Sequence, residues 1–314
     1  MKEGILILNK PQNWTSHDCV AVCRRVTGIR KTGHGGTLDP MAEGLLSVFL
    51  GKAAKIIEYL DADYKTYRCT ASLGMVTDTQ DIWGTVIERK SITGITERDI
   101  EKAVSNFKGE IIQTPPIYSA VRVNGKRLYE YARRGQEVDI KPRKVRIRNI
   151  DIIETDISSG TVSFDVTCSK GTYIRSICSD LGKMLGCGGV MTSLTRTASG
   201  IFTLEKAVSP DELKEMSLKE VENLLIRVDK PLGNLGKIQI QPDRARYFRS
   251  GNSIRWDHTK ILKKPAENSD GRYNSRGRSY DSLYTVYEAG SGIFLGIGYH
   301  SVTDNMLKAD KILV

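Results

Sequence analysis

The stretch Gly33-His34-Gly35-Gly36-Thr37-Leu38-Asp39-Pro40 places three glycines in four positions and ends in a carboxylate followed by proline. Glycine allows close approach of backbone to a ligand and tolerates positive φ. Pro40 disfavours the helical conformation at Asp39 and pushes it toward an extended one. A carboxylate on such a loop is placed to meet a substrate, although the same residue could equally cap a helix that follows. Neither GxxxxGK[ST] nor GxGxxG occurs here, so the loop is not a phosphate cradle of either kind.

Working outward, residues 4–8 read as a short buried strand and Lys10-Pro11-Gln12-Asn13 as a turn. Thr15 and Asp18 have capping-box spacing before a helix with Cys19, Val20, Cys23 and Val26 at helical intervals. Residues 28–40 read as loop and 52–60 as a second amphipathic helix. From residue 64 the pattern alternates, with Tyr67, Cys69, Ala71 and Leu73 on one face of a strand. Helices are expected over 97–107, 174–185 and 217–225, and strands over 145–153 and 161–168. Beyond Pro231-Leu232-Gly233-Asn234 the chain becomes short strands and turns, with a hairpin signal at Gly290-Ser291-Gly292. This divides the chain into residues 1–234 and a small all-β unit over 235–314. Within that unit, residues 263–282 are polar and nearly devoid of aliphatics, which reads as a flexible surface insertion.

The 314 residues carry a formal charge of +10, unevenly spread. Residues 122–148 hold ten basic and three acidic side chains, and residues 244–278 again hold ten and three. Everything else is therefore net acidic, and two basic segments on such a body suit a polyanion. Either segment alone could be an ordinary solvated face. The longest apolar stretches, 4–8 and 44–50, fall far short of the roughly 20 residues a spanning helix needs. The first is also too brief for a signal peptide, so the expected location is cytoplasmic. Six cysteines without a CxxC pair read as reduced and buried, and four histidines without ligand-like spacing argue against structural zinc.

The glycine-rich octapeptide resembles the catalytic loop of the TruB-type pseudouridine synthases, which modify the T arm of transfer RNA. Further segments resemble that family in the same order: Leu8-Asn9-Lys10-Pro11, Lys65-Thr66-Tyr67-Arg68, Thr77-Asp78-Thr79-Gln80-Asp81, Gln113-Thr114-Pro115-Pro116-Ile117-Tyr118-Ser119-Ala120, Gly125-Lys126-Arg127-Leu128-Tyr129-Glu130-Tyr131-Ala132 and Ser169-Lys170-Gly171-Thr172-Tyr173-Ile174-Arg175. The 235–314 unit is similar to a PUA domain, notably at Gly292-Ile293-Phe294-Leu295-Gly296.

The resemblance implies an α+β catalytic domain around a central, mostly antiparallel mixed sheet, with a small C-terminal β-barrel of PUA type. It implies isomerisation of the uridine conventionally numbered 55 in the T loop, by base flipping, aspartate-dependent cleavage of the glycosidic bond and re-formation of a C–C bond. No atoms are gained or lost, so no cofactor or metal is needed. Asp39 matches the catalytic aspartate, whether it acts as nucleophile or through a glycal. Arg175 matches its guanidinium partner, Tyr67 the tyrosine on the target base, and Tyr173 a tyrosine of the uracil pocket. Taken without the resemblance, both tyrosines read as core and Arg175 as a first-turn helix residue. His34 matches the histidine that fills the space left by flipped bases, and Lys10 is expected close to the catalytic loop. Residues 115–145 match a thumb-like insertion that clamps RNA, with Lys126, Arg127, Tyr129, Arg133, Arg143 and Lys144 as candidate contacts. The expected partner is the tRNA T stem-loop, with no membrane and no obligatory protein partner. A non-catalytic RNA-binding protein or tRNA-folding chaperone, or a synthase for other RNA, are the alternatives. Asn9 and Asn13 stand where the family commonly has Asp and Gly, and Asn13 should keep the turn because asparagine tolerates positive φ.

Overall fold

In the computed structural model, which describes residues 3–60, 64–267 and 273–314, the first three quarters of the chain surround one nine-stranded sheet. Its apolar opening strand β1 (Gly4–Lys10) is buried on both faces. The following turn takes Asn13 to φ 65°, and the Asn13 N–H donates to the Pro40 carbonyl at 2.9 Å, tying the turn to the loop of Asp39. Helix α1 (Ser16–Thr27) begins with a full capping box between Thr15 and Asp18. The expected loop over 28–40 contains a short strand, β2 (Thr32–His34), paired with β3 (Glu43–Leu50). No helix follows Asp39 for it to cap. The Ala42 N–H closes a turn on the Asp39 carbonyl at 3.0 Å, and β3 starts at once. The helix expected over 52–60 is a 3-10 helix, Gly51–Tyr59.

Strand β4 (Lys65–Leu73) buries Tyr67, Cys69, Ala71 and Leu73 as the alternation requires. A hairpin of β5 (Met75–Thr77) and β6 (Val86–Arg89), helix α2 (Glu97–Ser105) and strand β7 (Gly109–Gln113) follow. The basic segment opens as a hairpin, β8 (Arg122–Val123) and β9 (Lys126–Arg127), turning through Asn124 and Gly125 at positive φ. A short helix α3 (Leu128–Ala132) comes next. The end of the segment enters the sheet: Arg143 begins the long strand β10 (Arg143–Asp156), two residues ahead of the strand expected over 145–153. Then come β11 (Thr161–Cys168), α4 (Ile174–Met184), β12 (Gly189–Ser199), β13 (Phe202–Thr203), α5 (Pro210–Glu215) and α6 (Leu218–Leu224).

The sheet runs β1-β3-β12-β4-β11-β10-β7, with β2 on β3 and β13 on β12. Its pairs are antiparallel except for β3 with β12. The inward side chains of β4 and β11 pack with Ile177, Cys178 and Leu181 of α4. Each such aliphatic side chain contributes about 1.5–3 kcal/mol on burial. This packing fixes the N-terminal end of α4 beside the glycine loop.

The C-terminal unit comprises β14 (Gly236–Ile240), α7 (Pro242–Arg249), β15 (Ile254–Arg255), β16 (Thr259–Lys263), β17 (Leu283–Glu288), β18 (Phe294–Ser301) and β19 (Met306–Ile312). Its sheet, ordered β15-β19-β18-β17-β14-β16, curls as a half-barrel with β15 and β16 at its two ends. Of the insertion expected to be a flexible spacer, residues 268–272 lie outside the described residues. The rest is held in place. Asn274 is buried and donates to Asp310 at 2.9 Å, and Arg276 and Arg278 both pair with that carboxylate. Tyr59, from the 3-10 helix, donates to the same Asp310 and so links the two units. Much of the second basic window is likewise engaged, with Arg249 on Glu288 and Arg255 on Asp257.

Candidate active site

The end of the glycine loop and the start of α4 enclose a cavity of about 100 Å³ whose walls include Leu38, Asp39, Tyr67, Tyr173, Arg175 and Leu194. Gly36 reaches φ 128°, a conformation reserved for glycine, and this lets the chain pass Lys65 and Arg196 before Asp39. Arg175 meets Asp39 with Nη2 2.9 Å from Oδ2; the carboxylate is 42% exposed and the guanidinium only 6%. Arg175 Nη2 also donates to the Tyr118 carbonyl at 2.9 Å, and Nη1 donates to the Thr79 carbonyl at 3.0 Å and faces Asp81 Oδ2 at 3.4 Å. A cation in the first turn of a helix opposes the helix dipole. Two carboxylates and two carbonyls offset that cost here, and they make Arg175 a rigid fork presenting one edge to Asp39.

Tyr67 projects from β4 into the cavity wall. Burial pushes its phenol above the usual range, and Arg196 opposes that shift. Tyr173 caps α4, held at both backbone groups by Gln113: its N–H donates to Oε1 at 2.7 Å and its carbonyl accepts from Nε2 at 3.0 Å. His34 stands edge-on to His17, with ring centroids 5.4 Å apart, and its Nδ1 is buried without a partner. Burial, and then the charges of His17 and Arg196, lower its pKa, which keeps the ring neutral near pH 7. Lys10 is wholly buried and donates to the carbonyls of Trp14 at 2.7 Å and Pro11 at 2.9 Å, with that of Pro40 at 3.4 Å. It therefore braces the loop next to Asp39 and does not point into the cavity's open side.

The basic candidates divide into two groups. Lys126 lies over the ring of Tyr131, while Arg127 and Arg133 both lie over Tyr129, so the hairpin and α3 form one cationic, aromatic tip. Arg143 and Lys144 belong to β10 instead, and Lys144 forms an exposed ion pair with Glu110 of β7 at 2.8 Å. Four site residues were not assigned from sequence. Asp81 and Gln113 lie inside motifs already noticed, whereas Leu194 and Arg196 lie on β12, a strand whose threonines and serines mask its central position.

Residues 24–174 match the model of the TruB family pseudouridylate synthase N-terminal domain, and residues 175–235 match that of the tRNA pseudouridylate synthase B C-terminal domain. The tRNA pseudouridine synthase B of Clostridium perfringens is 40% identical over 311 residues, covering 99% of each chain. The chain belongs to the TruB family of pseudouridylate synthases. The TruB-family enzyme of Shouchella clausii, also named tRNA pseudouridine synthase B, is 41% identical over 92% of this chain and 95% of its own. Among solved structures, a chain of a Cbf5-Nop10-Gar1 complex shares the fold with a TM-score of 0.72 at 24% identity, covering 99% of this chain and 85% of that one. In this TruB-family chain a carboxylate oriented by a guanidinium borders a small cavity whose walls include two tyrosines and two leucines. Such a carboxylate can attack a sugar carbon or shield cationic character there, as in glycoside hydrolysis.

Proposed function

We propose that the chain isomerises uridine to pseudouridine in transfer RNA, and that its target is uridine 55 of the T loop. The observation that carries this reading is the 2.9 Å contact between Arg175 and Asp39 in the wall of the cavity of about 100 Å³. The target nucleotide leaves its stack, which costs a few kcal/mol, and enters the cavity, where stacking on Tyr67 and Tyr173 offsets that cost. Asp39 then acts at ribose C1′ as the bond to N1 breaks. The uracil turns, and C5 joins C1′. His34 fills space in the opened loop, and Lys10 braces the catalytic loop from behind. The tip carrying Lys126, Arg127, Tyr129 and Arg133 grips the RNA backbone, with Arg143 at its base. Residues from 235 onward act as a second, PUA-like RNA-binding domain beside a catalytic domain of residues 1–234. The protein works in the cytoplasm; no helix among the described residues is long and apolar enough to cross a membrane.

The test is mass-spectrometric mapping of modified positions in RNA treated with the wild type and with Asp39→Asn. The expected result is pseudouridine at one T-loop position with the wild type, none with the variant, and RNA affinity unchanged. Undiminished product from Asp39→Asn removes that residue from its role. Normal T-arm binding without product from the wild type supports a folding chaperone instead, and product in unrelated hairpins supports a broader synthase.

A further inference from the structure

Arg196 sits in β12 with 1% exposure, one of the two largest fully buried charged side chains beside Lys10. Its Nε donates to the Leu45 carbonyl at 2.7 Å and its Nη2 to the Gly36 carbonyl at 3.1 Å. The first bond holds β3, and the second holds the glycine loop three residues before Asp39. Both partners are carbonyls, and the remaining nitrogen, Nη1, is buried with no hydrogen-bond partner. Among the described residues no carboxylate pairs with this guanidinium, and an unpaired buried charge is costly.

Directly across the antiparallel ladder from Arg196 is Tyr67. Opposed ladder residues project from the same face with Cβ atoms about 4.5–5.5 Å apart. Burial raises the Tyr67 phenol, Arg196 is the group that pulls it down, and Cys168 and Asp39 push it up. On its other side Arg196 acts on Lys10 and His34, lowering further what burial already lowers. Lys65 lies against Gly36 nearby. Arg196 is thus the cation set against burial at Tyr67, and Asp39 is engaged with Arg175.

We propose that Arg196 is a positioning residue for the isomerisation: one of its nitrogens fixes the loop that presents Asp39, a second fixes the strand that follows it, and its guanidinium favours the ionised form of the Tyr67 oxygen, the form that takes the proton from C5 of the turned uracil. This rests on reading the chain as a uridine isomerase. Once C5 has joined C1′, C5 carries both the sugar and its original hydrogen. The Tyr67 phenolate takes that proton and becomes a phenol, and the C–H electron pair returns to the ring. N1, freed when the glycosidic bond broke, takes a proton from water. The phenol returns its proton to water, so protons and electrons balance without oxidant or reductant.

The experiment is single-turnover pseudouridine formation against pH, at saturating tRNA, for the wild type, Arg196→Gln, Arg196→Lys, Tyr67→Phe and the double variant of Arg196→Gln with Tyr67→Phe, using RNA with hydrogen or deuterium at C5. Arg196→Gln is expected to slow the reaction about 100-fold near pH 7 with RNA affinity unchanged. The alkaline rise of its rate should move up by about one pH unit or more, because the phenolate has lost its cation. A primary deuterium effect should appear as proton removal becomes limiting. Arg196→Lys keeps the charge and should leave the pH profile near that of the wild type, while the double variant should be no slower than Tyr67→Phe alone. A loss equal at every pH without an isotope effect, or losses that multiply in the double variant, overturns the proposal and leaves Arg196 a structural staple. If Arg196→Gln does not fold, Arg196→Lys decides, since a displaced pH profile with the charge retained is equally fatal. Activity of Asp39→Asn would instead overturn the underlying reading while leaving the Arg196 arms to be read independently.

Discussion

Arg175 Nη2 lies 2.9 Å from Asp39 Oδ2 while Nη1 of the same guanidinium faces Asp81 Oδ2 at 3.4 Å, so one buried arginine joins the loop carboxylate to the turn between β5 and β6. Asp81 has further duties, accepting from the Thr79 hydroxyl at 2.7 Å and the Trp83 N–H at 3.1 Å. The orientation of Asp39 therefore depends on a carboxylate that never faces the cavity. Lysine supplies a point charge but no planar fork. Arg175→Lys should lower the single-turnover rate by about 10²–10³, and Asp81→Asn should lower it by about tenfold or more with RNA affinity unchanged. Filter binding beside the rate assay checks this; an unimpaired Arg175→Lys enzyme contradicts the orienting role.

The cationic tip should govern the salt dependence of RNA binding. Lys126, Arg127 and Arg133 are pre-arranged on two tyrosine rings, whereas Lys144 is paired with Glu110. Replacing each of the first three by glutamine should reduce the slope of log affinity against log salt by about 0.7–0.9. Lys144→Gln should change it little, because an exposed pair contributes little and leaves Glu110 unbalanced rather than RNA uncovered. Affinities titrated from low to high salt check both. A slope unmoved by the first three substitutions places the RNA elsewhere.

Legibility followed local chemistry. The capping box at Thr15 and Asp18, the alternation from Tyr67 to Leu73 and the turn at Asn13 all act within a few residues, and each appears where the pattern puts it. Strand β12 was not legible, because its hydroxyls are satisfied only by distant partners: Thr192 donates to the Thr70 carbonyl, Thr195 to Glu43 and Thr197 to the Thr66 carbonyl. With β12 unread, Arg196 and Leu194 stayed invisible. The contact between Arg175 and Asp39 was anticipated from motif resemblance, yet the motifs at 77–81 and at Tyr118 gained a physical reason only from the fold, since both end on that guanidinium. In the insertion at 263–282, composition reports a polar segment but not the buried carboxylate of Asp310 with which Arg276 and Arg278 pair.

The thiols should be inert in the folded protein. All six cysteines are free and buried. Burial pushes Cys19 and Cys168 up to about 11 and Cys23 up to about 12, against an ordinary 9.0. Iodoacetamide reacts with thiolate, so native protein at pH 8 should resist alkylation and urea-unfolded protein should take six adducts, counted by mass spectrometry. The folded state holds these protons more tightly than the unfolded chain, so the contribution is complete below pH 9 and is lost as pH climbs through 11 and above. Urea midpoints measured across that range should fall, and a rising midpoint contradicts the burial.

Asp310 should control how the two units stay joined. Its side chain is fully buried and collects the Tyr59 hydroxyl, the Asn274 amide and the guanidinium groups of Arg276 and Arg278. Lys311, next in the chain, pairs with Glu58, which neighbours Tyr59, and extends the same clasp. Removing Asp310 leaves the buried Tyr59 hydroxyl and Asn274 amide without their acceptor, at about 1–3 kcal/mol for each unsatisfied group. Asp310→Ala should therefore unfold the C-terminal sheet at lower urea than the nine-stranded sheet, splitting one transition into two. Trp256 stacks on His300 at 3.9 Å within the C-terminal unit, so near-ultraviolet circular dichroism should follow the first transition. The catalytic rate on an isolated T stem-loop should survive in urea concentrations between the two transitions, because Asp39, Arg175 and their supports all lie before β14. A single transition at an unchanged midpoint in Asp310→Ala would mean that the apolar contacts of Tyr59, Leu283 and Ile297 hold the units together without the clasp.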